Sequence, residues 1–308
     1  VNETGPKLLD VLSGNFQVTA KQSLSEVWKV YAEGRARGAT PFVAAVRAAS
    51  RVDRLGFAFA AGYCAALEQM IQGVRLPCAL CVTEVSGNGP RAIETTLEYT
   101  GDHYELRGTK SFVTFGTLAE TLIVAARVGE KPDGRPDLVV VQIPSHREGV
   151  RLQELAATPF APEVPHAKVE LDGVEVLESE RLPGDGYLDY VKPFRTIEDI
   201  HVVGTTLGYI LGLALRARAS STLIAELSAD LVALDRLREG SALDPHVHIA
   251  LHGVYRHVMR LLDSEDFARL LDCAPDDERG RWERDRVLLH VASKARKARF
   301  ERAIAGLG

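Results

Sequence analysis

Apolar residues recur at two different periods along this chain, and the change of period divides it into three. Up to about residue 77 the spacing is helical. Leu24, Val27, Trp28 and Tyr31 fall on one face behind Ser23, a residue suited to capping a helix start. Thr40-Pro41 opens a second helix, proline being well tolerated in a first turn, and Phe42, Val43, Val46 and Ala49 share one of its faces. Phe57 to Ile71 is rich in Ala and Phe with little charge, which predicts a helix buried on most sides with Tyr63 and Met70 in the core.

From Cys78 to about Leu182 the apolar runs are short and strand-like. Alternation through Leu97 and Tyr99 meets the turn Gly101-Asp102-His103 and returns through Tyr104-Glu105-Leu106-Arg107, a hairpin signal. Thr121–Val128, Leu138–Pro144, Val150–Leu155 and Ala167–Val176 are further β-rich runs separated by Gly, Pro, Asp and Lys clusters. Three prolines (159, 162 and 165) make Thr158–His166 an irregular loop. After Pro183-Gly184-Asp185-Gly186 the helical period resumes. It predicts helices over Thr196–Ala217, Ser221–Glu239 (Leu223, Leu227, Leu231 and Leu234 on one face), Pro245–Leu262 and Trp282–Leu307. The expected architecture is therefore an N-terminal helical domain over 1–77, a middle antiparallel β-barrel-like domain over 78–183 and a C-terminal up-and-down helical bundle over 184–308.

Composition excludes more than it selects. Over 308 residues the chain is 46% hydrophobic and 26% charged, ordinary for a globular protein. A net charge of −5 gives no reason to expect nucleic acid or an anionic membrane as a partner. No apolar run reaches the roughly 18 residues that would span a bilayer. The first residues lack a basic-then-apolar leader pattern, and four unevenly placed cysteines suit reduced thiols, so a cytoplasmic location is expected. Cys78-x-x-Cys81 has the spacing of a zinc or redox pair, but no second pair accompanies it and buried thiols are expected. His248 and His252 lie four apart on one predicted helix, with His246 and His257 nearby. No third ligand is evident, and no metal site is assigned.

Chemistry concentrates between Cys81 and Gly116. The first part, Cys81-Val82-Thr83-Glu84-Val85-Ser86-Gly87-Asn88-Gly89-Pro90, is an apolar strand ending in Thr-Glu and a glycine-broken loop. The second, Gly108-Thr109-Lys110-Ser111-Phe112-Val113-Thr114-Phe115-Gly116, carries an aromatic and a threonine two residues apart, hence on one strand face. An aromatic, a hydroxyl and open backbone N–H groups together suit a planar, hydrogen-bonding ring. Lys110, beside this strand's aromatic, reads as a structural ion-pair partner, not as a nucleophile. No Gly-x-Gly-x-x-Gly follows a strand, which argues against a Rossmann site.

These two segments, and the order helices, strands, helices, resemble the acyl-CoA dehydrogenases. There a Thr-Glu-x-x-x-Gly loop and a Gly-x-Lys-x-Trp-x-Thr strand hold the isoalloxazine of FAD. The resemblance implies cofactor contacts at Thr83, Glu84, Gly87, Gly89, Phe112 and Thr114, with Phe112 in the usual Trp position and Gly89 where a phosphate-contacting Ser is common. It also implies α-proton abstraction from an acyl-CoA thioester, β-hydride transfer to flavin N5, and thioester-carbonyl hydrogen bonds that stabilise the developing negative charge. An electron-transfer flavoprotein as partner, a homodimer or homotetramer, and a place in fatty acid metabolism follow from the same resemblance. In many members the base lies on a loop beyond the position where this chain ends. A branch resembling isovaleryl- and long-chain-acyl-CoA dehydrogenases instead carries a Glu on the first long bundle helix. Counting back from Gly208 in Gly204-Thr205-Thr206-Leu207-Gly208 places that base at Glu198, with Asp199 where Arg often follows. A carboxylate enclosed by apolar groups becomes a stronger base near neutral pH. The alternative for Glu198 is a first-turn residue that favours the helix dipole. The family's Arg-x-x-Phe-Gly segment is represented by Arg216 and Arg218 without the Phe-Gly. A non-catalytic scaffold or binding protein, and a flavin oxidase or monooxygenase on the same fold, are the competing functions.

Overall fold

The structure, a computed structural model, describes residues 7–13 and 23–307. Its elements in chain order are α1 (Leu24–Ala36), α2 (Pro41–Ala49), α3 (Leu55–Met70), β1 (Cys78–Cys81), β2 (Thr96–Tyr99), β3 (Tyr104–Thr114), β4 (Thr121–Glu130), β5 (Pro136–Pro144), β6 (Val150–Glu154), β7 (His166–Val176), α4 (Lys192–Arg216), α5 (Ser221–Leu237), α6 (Pro245–Leu262), α7 (Glu265–Asp272), α8 (Asp276–Asp285), α9 (Leu288–Val291) and α10 (Ser293–Ala305). Two compact units result. One holds the segments up to Gln69, Pro159–Ala161 and the residues from Thr196 onward; the other holds Met70–Thr158 and Pro162–Arg195.

In the helical unit polar side chains cap the starts of α2 and α6. Thr40 accepts a hydrogen bond from the Val43 N–H at 3.3 Å. Asp244 accepts from the His246 N–H at 2.8 Å. The Ser23 N–H donates to Glu26 at 3.0 Å, half of a capping box. α3 is buried nearly throughout, Tyr63 included. The contact between α2 and α4 is a glycine seam. A Cβ on Gly204 would overlap the Phe42 ring, one on Gly208 would lie 2.8 Å from the Val46 carbonyl oxygen, and one on Gly212 would overlap the Ser50 carbonyl. Glycines four apart thus face α2 residues four apart, and the two backbones approach more closely than any side chain permits.

The expected helix over Trp282–Leu307 is instead α8, α9 and α10, separated by turns at 286–287 and 292. α7 lay outside the expectation, although its signal is local. Ser264 accepts from the Phe267 N–H at 3.2 Å, acidic residues fill the first turn, and Phe267 and Leu270 are buried.

The other unit is a single seven-stranded sheet in the order β1-β4-β2-β3-β7-β6, with β5 paired to β4, curled as a half-barrel. Most pairings are antiparallel. β1 and β4 run parallel, Cys78 opposite Thr121, and β2 also meets β4 in parallel at Thr96 and Arg127. Cys78 and Cys81 are buried and in no disulfide, and burial pushes the Cys81 thiol up to about 12. They are packing residues, as expected.

Candidate functional site

A β-bulge in β3 decides which side chains face outward. Lys110 opposes Val169 while Val113 opposes Ala167, so β3 spends one more residue than β7 over this interval. Strict alternation would put Lys110, Phe112 and Thr114 on one face. The bulge changes the parity: Lys110 and Val113 turn inward, while Phe112 is 46% exposed and Thr114 half-buried.

Inside the sheet, the fully buried Lys110 ammonium donates to Glu84 Oε1 at 2.7 Å and to the Ala125 carbonyl at 2.7 Å. Glu84 also accepts from the Glu94 N–H (2.9 Å), the Thr95 N–H (3.1 Å) and the Thr95 hydroxyl (2.8 Å). Burial opposes ionisation of Glu84, but the Lys110 charge and these donors outweigh it and hold the carboxyl below its usual range. The Glu84 carboxylate is therefore committed to the sheet interior. Its backbone closes a tight turn with Gly87, by hydrogen bonds of 2.8 and 3.0 Å, and Gly87 has φ +124.

That turn lies beside the outward end of β3. The Thr83 carbonyl accepts from the Ser111 N–H at 2.8 Å and the Ser111 hydroxyl at 3.3 Å. Gly89 starts a short 3₁₀ turn, and a Cβ there would meet nothing within 4 Å. Arg195 donates to the Asn88 carbonyl (3.2 Å) and side-chain oxygen (3.1 Å), anchoring the loop. Thr83, Gly87, Phe112 and Thr114 are thus assembled by one turn and one strand.

His166 belongs to this assembly and escaped the sequence reading, which placed it in an irregular loop. It is the first residue of β7, opposite Thr114, and its ring stacks on Phe112 with centroids 4.3 Å apart. Burial lowers its pKa, against a hydrogen bond with the Val164 backbone. Only the cross-strand register brings His166 to Phe112, and no local pattern encodes that register.

Glu198 belongs to the helical unit. α4 begins at Lys192, after a single π-helical turn over Gly186–Val191, so Glu198 sits in the second turn and a first-turn dipole role does not apply. It is half-buried. Asp199 has a different part to play. Buried, it accepts from Arg296 at 2.9 Å and also pairs with Arg299, which joins α4 to α10. Arg216, read as a remnant of a cofactor-contacting segment, pairs with buried Glu278 at 2.8 Å. The histidines of α6 have separate partners: His246 bonds Asp244, His257 bonds Asp230, His248 meets the Ala242 carbonyl, and His252 stacks on Phe300. Among the described residues no cluster of three or more metal-ligating side chains forms, and no helix is long and apolar enough to cross a membrane.

Residues 79–174 match the family model for the acyl-CoA dehydrogenase middle domain. No curated protein matches the sequence. Among solved structures, butyryl-CoA dehydrogenase from Megasphaera elsdenii aligns with a TM-score of 0.63 at 14% identity, over 92% of this chain and 87% of that one. FMN-bound TdsC from Paenibacillus sp. A11-2 aligns at 0.61 and 17% identity, over 92% and 89%. The prolyl acyl carrier protein oxidase AnaB aligns at 0.59 and 16% identity, over 85% and 82%. Such identities establish a shared fold, and that fold is the acyl-CoA dehydrogenase fold. Within that fold, residues 79–174 are similar to the acyl-CoA dehydrogenase middle domain in sequence as well.

Proposed function

We propose that this protein is an FAD-dependent dehydrogenase of acyl-CoA thioesters. The observation that carries the reading is the bulge in β3, which turns Phe112 and Thr114 outward beside the Thr83 turn while Lys110 goes inward. These residues fit a flavin: an exposed aromatic, a hydroxyl on the same strand face, and a glycine loop with space at Gly89. Thr83, Gly87, Gly89, Phe112 and Thr114 would hold the cofactor. Glu84 serves by fixing the loop through its inward carboxylate. When bound, FAD supplies the acceptor for the hydride leaving the β-carbon. Glu198 takes the α-proton onto its carboxylate, and its half-buried setting favours that exchange over one with bulk water. In cells we expect a cytoplasmic homodimer or homotetramer that passes electrons to an electron-transfer flavoprotein.

Anaerobic mixing of the FAD-incubated protein with acyl-CoA thioesters tests this. Flavin absorbance is expected to bleach, and Glu198→Gln to slow bleaching by about 10²–10⁴-fold with flavin binding retained. Absence of bleaching with every thioester tried would overturn the dehydrogenase reading. Because AnaB is described as an oxidase, the same assay run in air adds a second readout. Stoichiometric peroxide would favour an oxidase on this fold. A protein that takes up no flavin, with no change in melting temperature, would favour a scaffold.

A further inference from the structure

At the junction of α4, α6 and α10, well away in sequence from the flavin-contacting strands, lies a buried cation with too few acceptors. Arg296 is 5% exposed. One of its nitrogens, Nη2, donates to Asp199 Oδ1 at 2.9 Å, and its guanidinium carbon lies 3.8 Å from the centre of the Tyr255 ring. Its other two nitrogens, Nε and Nη1, are buried without a hydrogen-bond partner among the described residues. The second Asp199 oxygen accepts from Arg299. The nearby imidazole of His252 is in a similar position. Its ring lies flat on Phe300 at 3.9 Å, and its Nδ1 is buried with no partner. The charges acting on His252 include Arg296, Arg256 and Lys297 against the single carboxylate of Glu301.

Two unsatisfied guanidinium nitrogens and one unsatisfied imidazole nitrogen therefore share a region of excess positive charge, with Arg296 itself covering the Tyr255 ring and His252 the Phe300 ring. A buried charge without its full set of partners is strongly unfavourable, and a buried donor left unmade carries its own desolvation cost. A neutral water would satisfy donors but leave the charge. A small carboxylate would meet both needs, since it brings acceptor oxygens and a single negative charge. We propose that Arg296 and His252 form a binding site for a small carboxylate-bearing molecule in the helical unit. The site stands apart from the flavin reading and does not depend on it.

Thermal melting of the full chain in sodium acetate, sodium phosphate and sodium chloride, at equal pH and ionic strength, tests the proposal. Acetate is expected to raise the melting temperature saturably over chloride, since a ligand that binds only the native state stabilises it by mass action. His252→Phe keeps a ring against Phe300 and removes one donor, and is expected to weaken acetate binding, read by calorimetry, about tenfold. Equal melting temperatures in the three salts would overturn the site. Unchanged acetate affinity in His252→Phe would overturn the assignment of His252. A phosphate response equal to or larger than that of acetate would overturn the carboxylate as ligand class.

Discussion

Lys110 shows what a single side chain does for this fold. Its ammonium has no exposed surface, and it reaches both the Glu84 carboxylate and the Ala125 carbonyl. Replacing a whole buried ion pair by apolar groups can be neutral, but removing one partner strands the other charge. Lys110→Met should therefore cost about 3–5 kcal/mol, measured by urea unfolding, and the double change Lys110→Met with Glu84→Gln should recover part of it. A loss below about 1 kcal/mol would mean that the pair is solvated, as a surface pair is. The same pair fixes the turn from Glu84 to Gly87, and with it the position of Thr83 beside Ser111. The residue pattern Thr-Glu-x-x-Gly was legible in the sequence, and so was Lys110 as an ion-pair partner. Which face each residue of β3 would take was not. That depends on one extra residue in a cross-strand register, and alternation read from one strand alone cannot show a bulge.

Among the elements, α4 carries the most constraint. Gly204, Gly208 and Gly212 lie against Phe42, Val46 and Ser50, so one helix presents backbone where another presents side chains and carbonyls. The glycines used to place Glu198 by resemblance therefore have a packing role of their own. Gly212→Ala is expected to destabilise the helical unit by at least about 1–3 kcal/mol, the usual range for overpacking, because the obstructing atom is a backbone oxygen that cannot rotate away. Differential scanning calorimetry would show this as a lower melting temperature, and an unchanged one would contradict the seam. Asp199, a convenient neighbour of Glu198 for a mutational control, is no neutral site, since it binds both Arg296 and Arg299. Long elements with strong periods, such as α3, α5 and α6, were readable from their spacing and caps. The break of the last helical stretch into α8, α9 and α10 was not, because no proline or glycine marks the turns at 286–287 and 292.

For the molecule as a whole, buried imidazoles set how stability responds to acid. His201 has no exposed surface, donates through Nδ1–H to the Ile197 carbonyl at 2.8 Å, and meets the Phe42 ring edge-on. Burial lowers its pKa from 6.5 to about 4, with Arg238 adding to the effect and the Ile197 hydrogen bond opposing it. The unfolded chain then binds a proton between about pH 6.5 and 4 that the folded chain does not, so stability rises with pH across that window and falls on acidification. His166, His248 and His252 shift in the same direction, each chiefly through burial. Asp230 and Glu278 act with the opposite sign. Burial raises both, so the folded state holds their protons more tightly and is favoured by acid. Between pH 7 and 5 the imidazoles should prevail, with His201 alone costing about 2 kcal/mol of unfolding free energy. Urea unfolding followed by circular dichroism at pH 7, 6 and 5 would measure the slope, and His201→Gln, which cannot titrate, should flatten it by that amount. An equal slope in the variant would show that the imidazole is not held neutral in the fold, and a stability that rises from pH 7 to 5 would mean that the buried carboxyl groups dominate instead.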